Sequence, residues 1–253
     1  MATTGGAGVN QPAVDCREVT LVYPLVRDRP GSFKEQVIRS LRRRVVVDEL
    51  SAVSDLSLRV ESGEVLGVIG DNGAGKSTLM KIMARVLPPT RGRVVVRGLV
   101  APLIELGAGF NPELTATENV ILYGAILGRS PREMAGRADA IIDWAGLSEF
   151  ADVAVRAFSS GMLARLGFSI VTDINPDVLL VDEILSVGDQ SFREKSRERV
   201  GKVMGRGAAT ILVSHDMQMI EDLASRAIWL DRGRIRREGS PRTVIEAYTG
   251  GAG

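Results

Sequence analysis

Cysteine and histidine occur once each in this chain of 253 residues, as Cys16 and His215, and aromatic residues make up only 4%. A lone thiol cannot close an internal disulfide, which fits a reducing compartment. With no second histidine and no cysteine cluster, there is no ligand set for a catalytic zinc. Charge of one sign is also lacking: 32 Lys and Arg stand against 31 Asp and Glu, a net +1. No general attraction to nucleic acid is expected, and any basic partner site must be local. Nowhere do about 18 apolar residues run together, so the chain does not span a bilayer by itself, and at a membrane another chain must supply the span. Met1 to Val14 is rich in Gly, Thr and Ala. It lacks a basic n-region and an apolar h-region and reads as a disordered tail, not a signal peptide. What remains, 45% apolar and 25% charged, suits one α/β domain with a smaller lobe.

Val19, Leu21 and Tyr23, then Leu56, Leu58 and Val60, alternate as strands with one buried face do. Val65-Leu66-Gly67-Val68-Ile69 is a buried strand, followed by a glycine-rich loop and a helix whose Leu79, Ile82, Met83 and Val86 share a face. Strands near Val94 to Val96 and Val100 to Ile104 lead into a largely helical stretch from about 112 to 172. Val178 to Val181 and Thr210 to Val213 are short and apolar, as parallel strands covered on both faces are. A hairpin, Ala227 to Leu230 and Arg234 to Arg237 around Asp231-Arg232-Gly233, precedes a terminal helix.

Gly70-Asp71-Asn72-Gly73-Ala74-Gly75-Lys76-Ser77 fits G-x-x-x-x-G-K-[ST] between a strand and a helix, the setting a phosphate-binding loop needs. Its N–H groups would curl around phosphate oxygens, Lys76 would reach the β and γ phosphates of ATP, and Ser77 would offer a hydroxyl to Mg²⁺. The nucleotide contacts expected here are Gly70, Asn72, Gly73, Ala74, Gly75, Lys76, Ser77 and Thr78. Asp182-Glu183 ends the apolar run Val178 to Val181. Asp182 would orient the metal and Glu183 the attacking water. His215 follows the strand at Thr210 on the carboxyl edge of the sheet, where ligands of open α/β sheets gather, and is a candidate γ-phosphate contact. Ser159-Ser160-Gly161-Met162 precedes an amphipathic helix. By itself it reads first as an ordinary serine N-cap and second as a helix start able to hold an anion.

In order and spacing, the loop at 70–77, Ser159 to Met162, Leu179 to Glu183, Ser186-Val187-Gly188-Asp189 and Ser214-His215-Asp216 resemble the nucleotide-binding domain of ATP-binding cassette (ABC) transporters. The resemblance covers roughly residues 15–248. It implies an α/β fold: a P-loop NTPase core with a mixed, mostly parallel sheet, an N-terminal antiparallel β lobe and a helical signature subdomain at about 112–172. Segments 1–14 and 249–253 are left as tails. It also implies that a second copy of the chain completes each site. Ser159, Ser160, Gly161 and Met162 of one copy would close on the γ-phosphate held by the other, and the isolated chain would be a poor ATPase. Two transmembrane permease subunits are the further partners it implies, with the cassette peripheral on the cytoplasmic face of the inner membrane. Tyr23 matches the position where the family stacks an aromatic ring on adenine, and reads as well as a strand core residue.

Two departures from the common pattern stand out. Ser159-Ser160-Gly161-Met162 replaces a Ser-Gly-Gly-Gln signature, and Leu103 to Phe110 replaces the usual glutamine loop, with Glu105 in the glutamine's place as metal ligand and link to the membrane partner. Both variants look like the branch that exports lipid-linked cell-surface polysaccharide, O-antigen and teichoic acid included. The compact length and Ala-, Gly-, Arg- and Val-rich usage are similar to exporters of cell-wall galactan. The same branch carries an insertion between its first two strands. Here residues 27–44 hold seven basic and two acidic residues, either a solvated basic helix or one that meets anionic headgroups or the diphosphate of a lipid-linked glycan. The rival readings are a cassette for another cargo and a soluble cassette ATPase in translation or DNA repair. A single cassette and near-neutral charge disfavour the second, and no nucleic-acid partner is expected.

Overall fold

The computed structural model describes residues 11–26, 47–104, 106–182 and 189–250. The basic insertion at 27–44, Glu105, Glu183 and Ser186 to Gly188 lie outside the described residues.

Strands β1 (Val14–Val26), β2 (Val47–Val60) and β4 (Arg91–Val96) form an antiparallel sheet in the order β2-β1-β4. Strict alternation along β1 would turn its apolar residues away from the core after Cys16. Instead the register against β2 shifts between Cys16 and Val19, and Glu18 takes a positive φ of 49°. That bulge returns Val19 and Leu21 to the face occupied by Val14 and Cys16, and all four are buried. Asp55 does the same service on β2 at φ 50°, so that Val53 and Leu56 share the core face.

The second sheet holds β3 (Val65–Ile69), β5 (Val100–Leu103), β6 (Val178–Val181), β7 (Ala209–Val213), β8 (Arg226–Asp231) and β9 (Arg234–Gly239). Its order is β5-β6-β7-β3-β8-β9, parallel throughout except for the antiparallel return of β9. The apolar runs follow from burial on both faces. Along β6, Val178 and Leu180 pack toward the antiparallel lobe and Leu179 and Val181 toward the helices. Two cores result, one on each face of this sheet.

Helix α1 (Lys76–Met83) packs Leu79, Ile82 and Met83 into the first core. The expectation that Val86 continues this face is corrected: the helix stops at Met83 and Val86 is 61% exposed. Arg85 adopts φ 62° and donates its N–H to the Ile82 carbonyl, while Val86 donates to Lys81. This pair of bonds ends a helix with a left-handed residue and turns the next one outward.

The helical stretch comprises α2 (Ala116–Ile126), α3 (Pro131–Ala135), α4 (Ala138–Ala145) and α5 (Ser160–Asp173). It begins at 116, a little after 112, because Thr115 and Glu118 form a reciprocal capping box there. Helices α6 (Gln190–Gly205), α7 (Met217–Leu223) and α8 (Pro241–Gly250) complete the chain. At the margins, Ala13 and Val14 are buried and α8 runs to Gly250, so ordered structure extends past both expected tail boundaries. No helix among the described residues is long and apolar enough to cross a membrane.

Candidate active site

Strand β3 delivers the chain to Gly70 at the carboxyl edge of the parallel sheet, and the loop from 70 to 75 leads into α1. Two of its glycines are dictated by space as well as by φ. A Cβ on Gly70 (φ 147°) would lie 2.1 Å from the Leu230 carbonyl oxygen, and one on Gly75 (φ 105°) would lie 2.3 Å from that of Ala52. The loop is therefore wedged between β2 and the β8–β9 hairpin, where Gly233 N–H donates to the Ala74 carbonyl at 2.8 Å. Gly75, as the residue before α1, makes no side-chain hydrogen bond to the helix start, and the first turn carries no acidic residue. The N–H groups of a helix start and the helix dipole favour an anion at this end.

Lys76 is 8% exposed, and its ammonium donates to the carbonyls of Gly70 at 2.6 Å and Asp71 at 2.9 Å. Burial pulls its pKa down, and the negative charges of Asp182 and Asp71 oppose that pull. Asp182 follows β6. Burial pushes its carboxyl up, against the attraction of Lys76 and His215. His215 bridges β7 and α7. Ser214 Oγ accepts the Asp216 N–H at 3.0 Å and Asp216 in turn caps α7, a local arrangement that leaves His215 exposed between strand and helix.

These groups converge. One cleft of about 370 Å³ is lined by Tyr23, Asn72, Gly73, Gly75, Lys76, Ser77, Thr78, Asp182 and His215, joined by Leu50, Ser51 and Ala52 of β2. Tyr23, half-buried, stands on its wall. Ser159, Ser160, Gly161 and Met162 do not line it. They sit at the start of α5, where Ser159 Oγ accepts the Met162 N–H at 3.2 Å. That is the ordinary serine cap, and Ser159 and Ser160 remain exposed. Gly70 and Ala74 shape the loop behind the cleft. The β2 residues carried no signal in the sequence, because what Ala52 contributes is a close backbone approach that any small residue could make.

A larger cleft of about 560 Å³ lies elsewhere, between α1, β5 and α2, and is walled by Val100, Pro102, Ile104, Tyr123 and Ile126. No residue of the phosphate loop lines it, so its size does not make it the site of reaction.

Ser77 and Asp182 offer oxygen donors in one cleft with Lys76, the donor type Mg²⁺ takes when substrate phosphates and water fill the rest of its shell. Among the described residues no group of three or more His, Cys, Asp and Glu could hold a metal.

A glycine loop, buried lysine, helix start and strand-end carboxylate mark the chain as a P-loop nucleotide-binding protein. Residues 53–186 match the ABC transporter family. The chain is 39% identical over 240 residues to the O-antigen export system ATP-binding protein RfbB of Klebsiella pneumoniae, covering 94% of this chain and 98% of that one. It is 38% identical over 235 residues to the teichoic acids export ATP-binding protein TagH of Listeria monocytogenes, covering 93% and 69%. Among solved structures, a dimeric ATP-binding cassette in a post-hydrolysis state with ADP and phosphate superposes with a TM-score of 0.68 at 23% identity, covering 90% of this chain and 99% of that one. The chain belongs to the ABC transporter family and is an ABC-type ATPase.

Proposed function

We propose that this chain is the ATP-hydrolysing subunit of an exporter that moves a lipid-linked cell-surface polysaccharide across the cytoplasmic membrane. The observation that carries the reading is the convergence of Lys76, Ser77, Asp182 and His215 on one cleft, in a chain similar over nearly its whole length to an O-antigen export ATPase. Two copies sandwich two ATP molecules, and Ser159 to Met162 of one copy complete the cleft of the other. The exposure of Ser159 and Ser160 supports that role.

Catalysis here is positioning and charge stabilisation. The loop amides and Lys76 hold the β and γ phosphates, Tyr23 supports the adenine ring, and His215 contacts the γ-phosphate. Ser77 and Asp182 would hold Mg²⁺, which supplies Lewis-acid neutralisation of the phosphate oxygens when bound, with Glu105 a further candidate ligand. Glu183 accepts the proton of the attacking water. The apolar cleft at Pro102 and Tyr123 suits a segment of the permease, so that closure of the dimer is felt at the membrane. The cassette then sits on the cytoplasmic face, held by its partner.

Glu183→Gln tests the chemistry. ATP binding should persist, a nucleotide-bound dimer should accumulate, and turnover should fall by roughly 10² to 10⁴. Undiminished hydrolysis would remove Glu183 from its role. Depletion of the protein in cells tests the cargo. Lipid-linked glycan should accumulate on the inside, and normal surface polysaccharide would overturn the assignment.

A further inference from the structure

The terminal helix reaches the phosphate loop through one side chain. Tyr248, on α8, donates its hydroxyl to Asp71 Oδ1 at 2.7 Å. Its ring is seated edge-on against Trp229 of β8, centroids 5.5 Å apart at 73°, and Arg236 of β9 covers Trp229 at 4.6 Å. The phenol is thus aimed by a packed ring. The bond to the carboxylate raises its pKa.

Asp71 is the node of the loop. Its carbonyl accepts the Ala74 N–H at 3.1 Å, closing a turn, and also accepts the Lys76 ammonium at 2.9 Å. At the other end of that turn the Ala74 carbonyl accepts the Gly233 N–H. The turn is therefore gripped twice from the same side of the fold, at Ala74 by the β8–β9 hairpin and at Asp71 by α8. The grip on Asp71 also answers a local difficulty. A carboxylate on an anion-binding loop competes with phosphate for Lys76, whose pKa already registers the Asp71 charge. A donor that engages one carboxylate oxygen holds that group to α8.

We propose that Tyr248 is a positioning residue for the phosphate loop: through Asp71 it holds the turn and Lys76 in phosphate-receiving geometry, so that the seating of α8 sets nucleotide affinity. This rests on the reading of residues 70–77 as the ATP site.

The test is equilibrium binding of a fluorescent ATP analogue with Mg²⁺ to the full chain, together with the thermal midpoint without nucleotide. Tyr248→Phe keeps the ring on Trp229 and removes only the hydroxyl. It should leave the midpoint within about 4 °C, the upper end of the shift that loss of one hydrogen bond gives at this size. It should weaken binding roughly threefold to tenfold, the reach of one net hydrogen bond. In an Asp71→Ala background the same change should have no further effect, because the two act through one bond. Parental affinity in Tyr248→Phe overturns the proposal, whether or not the midpoint falls. An equal loss on top of Asp71→Ala overturns it too. Lys76→Ala is the control on the underlying reading: if that variant binds like the parent, the loop is not the ATP site and the failure lies there instead of with Tyr248.

Discussion

The phosphate loop and the turn at Ser159 both open a helix, and they are built in opposite ways. Before α1 stands Gly75, left-handed at φ 105°, pressed against Ala52 and Gly233 and giving no side-chain cap. Before α5 stands Ser159, extended at φ −67° and ψ 160°, whose hydroxyl takes the Met162 N–H. The first start depends on two other elements of the fold and keeps its amides for a ligand. The second is completed by its own sequence, needs no distant support, and lies on the surface. A preorganised receptor needs tertiary backing, whereas a surface of the kind proposed to meet a second copy needs only a stable local shape.

The comparison breaks first at Lys76. Lys76→Ala should lower both ATP affinity and steady-state phosphate release, the latter by roughly 10² to 10³, the scale of one donor lost from developing charge. Ser159→Ala should behave differently, cutting turnover by about 10² under conditions where two chains associate. ATP binding by the single chain should stay within about twofold of the parent, since the capped turn does not line the cleft, and stability should drop by about 1 kcal/mol for the lost cap. If Ser159→Ala abolishes binding by the isolated chain, the division into receptor and completing surface is wrong.

The smallest effect concerns stability. Burial, the leading influence on Asp182, raises its pKa in the fold. A carboxyl so raised favours the folded state while protonated, and that contribution is lost as pH rises through its folded value. Asp182→Asn should therefore inactivate the enzyme yet raise the nucleotide-free midpoint near neutral pH. The gain should shrink to nothing as the pH is lowered through the carboxylate range. A midpoint that falls at neutral pH would mean that the attraction to Lys76 outweighs burial.

Much of the core was legible in residue order. Val178 to Val181 reads as a strand covered on both sides because it has no polar alternation, and its side chains divide between the two cores. The hairpin at Asp231-Arg232-Gly233 and the strand, loop and helix from Val65 onward follow from rules that act over a few residues. Where the reading erred, a competing local conformation won. Val86 continued the helical period on paper, but Arg85 turned left-handed and closed the helix three residues earlier than the pattern asked. In β1 no such reading was open for Cys16, whose spacing to Val19 breaks strict alternation until a bulge resolves it.

By itself, the order of residues determined that a glycine loop with Lys76 and Ser77 joins a strand to a helix, and that Asp182 and His215 end strands of the same sheet. Those constraints are short-range, written in spacing and side-chain type. Only the tertiary structure decided what stands around the loop: Ala52 over Gly75, Gly233 on Ala74, and Tyr248 on Asp71 across 177 positions of sequence. Such contacts leave no periodic trace. They depend on how sheets twist and helices seat, and a backbone carbonyl or one phenol at the right distance looks in the sequence like any other.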